Sequence, residues 1–119
     1  MALMSDQGFI QILASPAFKS QLRKLAKRYH SLRLDLQLLL DELQNGNFPG
    51  DQISGTNYAA FKVRLKNSDI KKGKSAGYRV IYQLRDNDSV LLVTIYSKSD
   101  ESALTAREIR AIIDHFNQI

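Results

Sequence analysis

The sequence predicts an α+β domain: a small, mostly antiparallel sheet with an N-terminal helical hairpin packed on one face and a C-terminal helix. Three observations carry this prediction. Between Phe18 and Leu43 apolar residues recur at spacings of three and four, the period of helices with one buried face. Between Phe61 and Tyr96 the pattern changes to alternating or continuous apolar runs broken by polar turns, as in strands. A helical period returns at Ile109, Ile112, Ile113 and Phe116. At 119 residues a single domain spanning 1–119 is expected, long enough to bury a real core.

The first element is Phe9–Leu13 (FIQIL), an isoleucine-rich run expected to form a well-covered strand. Ser15 and Pro16 then supply a helix start, with serine as N-cap and proline at the first helical position. Phe18, Leu22, Leu25 and Tyr29 make one apolar stripe, while Lys19, Arg23, Lys24, Lys27 and Arg28 occupy the other faces. A second helix follows over Leu32–Leu43. Leu32, Leu36, Leu39, Leu40 and Leu43 share a face, and Leu34 and Leu38 widen it, which predicts burial on more than one side. Asn45–Gly46 is the left-handed stop. The helices are separated by a residue or two near His30–Ser31, which predicts an antiparallel hairpin.

Asn45 to Tyr58, with three glycines and a proline, reads as a loop and lacks a phosphate-loop spacing. Phe61–Lys66 (FKVRLK) is a strand with period two, expected in the middle of the sheet. Asn67–Ala76 is a basic, exposed loop. Gly77–Arg85 and Ser89–Tyr96 form a hairpin across Asp86–Asn87–Asp88, and the second of these strands is apolar enough to be covered on both faces. Thr105–Ala106–Arg107–Glu108 has capping-box spacing for the last helix. Asp100, Glu101 and Glu108 are read as capping that helix rather than as acid–base groups.

Charge narrows the class of partner. Seventeen Lys and Arg against twelve Asp and Glu give a net charge of +5, which favours an acidic partner. There is no cysteine, so thiol nucleophiles, thiolate metal sites and disulfides are excluded. The two histidines, His30 and His115, stand far apart with no paired carboxylates on a strand, so no metal or other cofactor is expected. The N-terminus has no signal-peptide pattern and no run approaches a membrane span, so a soluble cytoplasmic protein with no membrane partner is expected.

The cations concentrate. From Lys62 to Arg79 there are seven basic residues and one acid, Asp69. Lys62, Arg64 and Lys66 share one strand face, about 7 Å apart. With Arg79, Tyr96 and Lys98 they form a set that can bind a phosphodiester; Lys71, Lys72, Lys74, Arg23 and Lys27 are further candidates for RNA contact. The same set can also cleave RNA without a metal. A base takes the 2′-OH proton, cations stabilise the phosphorane, and an acid protonates the 5′-oxygen. Lysine or tyrosine can fill either role when neighbouring cations depress its pKa. Charge pattern alone leans toward binding over cleavage.

FKVRL, GYRVIYQL and LLVTIYSKSD, followed by a terminal helix and preceded by a helical hairpin, resemble the RelE/ParE superfamily of toxins from bacterial type II toxin–antitoxin systems. The resemblance covers nearly the whole chain and is closer to the RNA-cleaving RelE branch than to the gyrase-poisoning ParE branch. It implies a toxin that enters the ribosomal A site, contacts 16S ribosomal RNA and cuts messenger RNA without a metal. It also implies a cognate antitoxin whose acidic or amphipathic segment blocks the basic face. On this resemblance Lys62 and Arg64 fall on the two basic catalytic strand positions, and Arg79 on the arginine that contacts the scissile phosphate. Two positions depart from the pattern. RelE-like enzymes place an arginine in the loop after the last strand and a tyrosine at the start of the last helix, where this chain has Ser99 and Thr105. Lys98 and Tyr96 are the nearest substitutes. A gyrase inhibitor and a catalytically inactive RNA- or antitoxin-binding module are the alternatives.

Overall fold

The computed structural model of the protein describes residues 10–71, 76–86, 88–100 and 104–118. In chain order the elements are β1 (Gln11–Ala14), α1 (Pro16–Arg28), α2 (Leu32–Gln44), β2 (Asp51–Gln52), β3 (Ala60–Leu65), β4 (Tyr78–Asp86), β5 (Ser89–Ser97) and α3 (Ala106–Asn117). They build one five-stranded sheet in the order β1-β5-β4-β3-β2. All pairings are antiparallel except β1 with β5.

The helix boundaries follow from local chemistry. Ser15 accepts from the Phe18 amide at 3.0 Å, the N-cap that Ser15–Pro16 predicts. Its hydroxyl also donates to the Val93 carbonyl at 2.7 Å, which docks the start of α1 on β5. Thr105 and Glu108 form the expected capping box at the start of α3. Gly46 ends α2 at φ +86, where a side chain would be strained.

The sheet has a core on each face. Phe18, Leu25, Leu32, Leu36, Leu39 and Leu43 of the hairpin pack against Val80, Tyr82, Val90, Leu92 and Ile95. Ile109 and Ile113 of α3 pack against Ala60, Ile81, Leu91, Val93 and Tyr96 on the other face. Helices on both faces explain why β5 is buried along its whole length.

Several expectations are corrected. The first strand runs from Gln11 rather than Phe9, which lies outside the described residues. Leu34 and Leu38 are 75% and 67% exposed, not buried on a second side. At 100° per residue they sit roughly 200–240° around the helix from Leu32, opposite the core stripe. The stretch Asn45–Tyr58 contains the edge strand β2, a two-residue strand too short to show a period. The middle strand is β4, and β3 lies next to the edge. Asp100 does not cap α3; its carboxylate accepts a hydrogen bond from Arg28 at the end of α1. Glu101 lies outside the described residues.

Candidate functional site

The register of the sheet assembles the cations. Arg64 on β3 stands opposite Arg79 on β4, and Arg79 stands opposite Tyr96 on β5. Directly opposed residues have Cβ atoms about 5 Å apart and share a face, so these three form a row across three strands. Lys62 lies one step along β3 on the same face, opposite Asp51 of β2.

A bulge places the tyrosine in that row. Ile81 pairs with Thr94 but Tyr82 pairs with Leu92, so Val93 is an extra residue in β5. Strict alternation from Val93 would bring Ile95 to the α3 side of the sheet. With the bulge, Ile95 joins the hairpin-side core and Tyr96 the α3-side core. Lys98, two residues further, comes to the same end of the sheet, with its amide donating to the Gly77 carbonyl at 2.9 Å.

Lys62, Arg64, Arg79 and Lys98 border a cleft of about 540 Å³. Lys62, Val63, Arg64, Arg79 and Lys98 form its floor and one wall, and Pro49, Gly50 and Asp51 the other. Arg79 is only 6% exposed, although it borders the cleft. Its guanidinium donates to the Tyr78 carbonyl at 3.2 Å. Burial pushes its pKa down and the Arg64 charge adds to this, while Tyr96 acts in the opposite sense. Arginine starts so high that it stays cationic at any working pH. The floor of the cleft therefore holds a fixed, partly desolvated positive charge.

Two glycines permit this arrangement. A Cβ on Gly77 would lie 2.1 Å from the Leu65 carbonyl oxygen, so only glycine lets β4 start against the end of β3. A Cβ on Gly50, at φ +101, would lie 2.4 Å from the Lys62 carbonyl oxygen. The Pro49–Asp51 wall is thus pressed onto β3, and the Tyr82 hydroxyl holds it by donating to the Pro49 carbonyl.

The expected site residues separate into groups. Lys62, Arg64, Arg79 and Lys98 meet at the cleft. Tyr96 adjoins Arg79 in register but is 4% exposed and packed in the α3-side core. Lys66 lines an adjoining groove with Leu38, Leu39 and Glu42. Lys71 is exposed in the following loop, and Lys72 and Lys74 lie outside the described residues. Arg23 and Lys27 are exposed on α1, whose core contacts are on the opposite face of the sheet from α3. Ser99 lies in the turn after β5, where its hydroxyl is 3.1 Å from that of Ser97. Thr105 is the N-cap of α3. Asp51 is the cleft residue that the sequence did not single out. Among the described residues no cluster of His, Cys, Asp and Glu could hold a metal ion, and no helix is long and apolar enough to cross a membrane.

A scan against protein-family models finds no match for the chain, and a search of curated proteins finds none.

Proposed function

We propose that this protein is the toxin of a type II toxin–antitoxin system, a metal-independent endoribonuclease that cleaves messenger RNA on the ribosome. The observation that carries the proposal is the convergence of Lys62, Arg64, Arg79 and Lys98 on one cleft. Four cations around a cavity of this size suit a phosphodiester better than a single anionic side chain. Arg79 is held in place by burial, which favours stabilisation of a fixed centre of charge such as a phosphorane. In this reading Arg64 and Lys62 grip the phosphates on either side, and Lys98 borders the same cleft from the turn after β5. The resemblance of FKVRL and GYRVIYQL to RelE-like toxins supports the ribosome and messenger RNA as the target, and a cognate antitoxin as the partner that covers the cleft.

A binding-only protein is favoured by one observation. Tyr96, the nearest phenol, is packed in the α3-side core rather than lining the cleft. Induction in a bacterium followed by mapping of transcript 5′ ends separates the two. Cuts inside translated codons, lost on Arg79→Ala in a folded protein, are expected. Intact transcripts with induced DNA damage would instead indicate a gyrase inhibitor. Intact transcripts without DNA damage would leave the binding-only protein.

A further inference from the structure

We infer that Asp51 is the general base of the cleft, accepting the proton of the ribose 2′-OH. This rests on the proposed ribonuclease function and adds to it the residue that begins the reaction. Three observations lead to it. Asp51 is the one carboxylate among the described residues lining the cleft, whose other charged groups are all cations. It is fixed in register opposite Lys62, on the face that carries Arg64 and Arg79. Its backbone is also held firmly. The wall before it leans on the Lys62 carbonyl at Gly50 and is tied by Tyr82 at Pro49, and just after it the Ile53 amide donates to Ala60 at 2.8 Å. A two-residue edge strand secured on both sides positions a side chain more firmly than a free loop would.

Chemistry favours a carboxylate here. A cation cluster stabilises the phosphorane but contains no acceptor while its members are protonated. A carboxylate supplies acceptor oxygens, and Asp51 carries the one such group among the described residues lining the cleft. In the step, the 2′-OH proton passes to Asp51 as the 2′-oxygen bonds to phosphorus. The bond from phosphorus to the 5′-oxygen breaks, and that oxygen takes a proton from the Lys98 ammonium. The products are a 2′,3′-cyclic phosphate and a 5′-hydroxyl. Asp51 then loses its proton to solvent, and Lys98 regains one.

The test is single-turnover cleavage of messenger RNA on programmed ribosomes by the full chain, comparing wild type with Asp51→Asn, Asp51→Glu and Lys98→Ala. Asp51→Asn is isosteric and removes a negative charge from a cationic cleft, so RNA binding should hold or tighten. Its cleavage rate should fall about 10²–10⁴-fold, the usual worth of a positioned base, and Asp51→Glu should recover part of it. A second messenger RNA carries sulfur in place of the scissile 5′-oxygen, a leaving group that needs no proton. It should restore cleavage to Lys98→Ala but not to Asp51→Asn. Sulfur rescue of Asp51→Asn, or cleavage by Asp51→Asn as fast as wild type, overturns the assignment and leaves the ribonuclease function standing. Failure of the wild type to cut either substrate overturns both.

Discussion

Arg79 stands between neighbours of opposite effect: Arg64 repels its charge and Tyr96 favours it. The repulsion between Arg64 and Arg79 opposes folding, and under the proposed function the same two charges would hold phosphate. Replacing Arg64 with alanine should therefore weaken RNA binding while leaving stability unchanged or slightly improved. Urea unfolding of the variant beside filter binding to a short RNA checks both halves. Arg79→Ala should weaken binding about 10–100-fold, on the roughly 1.5–3 kcal/mol that a hydrogen bond to a charged group contributes. A further residue-level prediction concerns the loop after β3. Asp69 accepts from the Ser31 amide at 2.9 Å, and this hydrogen bond holds its carboxyl below the ordinary range. A lowered pKa in the fold means that the tether is present above the ordinary carboxylate range and is lost as pH falls through the lowered value. Asp69→Asn should remove that acid-side loss, seen as a flatter dependence of unfolding on pH below the usual aspartate pKa.

At the scale of elements, α2 separates the leucines that hold the fold from those that do not. Leu39 is 2% exposed in the hairpin-side core, and Leu39→Ala should cost about 2–5 kcal/mol. Leu38→Gln should change stability by no more than about 0.5 kcal/mol, since the side chain projects away from that core. Paired denaturant melts of the two variants check the contrast. Gly77→Ala should be destabilising by about 1–3 kcal/mol or more, because β3 and β4 must part to admit a Cβ, and should impair binding by displacing Arg79 and Lys98. The helices and the two long strands of the hairpin were legible in the sequence because capping and periodicity are local. β2 was not, since two residues cannot show a period and its existence depends on pairing with β3. The exposure of Leu34 and Leu38 was also hidden: seven leucines between Leu32 and Leu43 overfill one stripe, and only the position of the sheet decides which are left outside.

Over the whole molecule, charge is distributed by topology more than by sequence proximity. Lys62, Arg64, Lys66, Arg79, Tyr96 and Lys98 read as one set in the sequence, and the β3–β4 register joins Lys62, Arg64 and Arg79. Lys98 comes to the cleft only because the Val93 bulge shifts the end of β5, a feature that no alternation pattern reveals. Asp51 sits in a stretch whose glycines and proline give it the composition of a loop, and Arg23 and Lys27 share only their charge with the site, since α1 packs on the other face. If the four cleft cations each meet a phosphate, log affinity for single-stranded RNA should fall with log salt at a slope of about −3. Arg79→Ala should reduce that slope by about 0.7, whereas Arg23→Ala, on the far face, should leave it unchanged. The most direct test is primer extension on messenger RNA in purified ribosomes programmed with a defined A-site codon and supplied with this protein. The expected result is a cut within that codon, absent with Arg79→Ala. Intact messenger RNA at saturating wild-type protein, with the protein bound to the programmed ribosome, would contradict cleavage at this cleft.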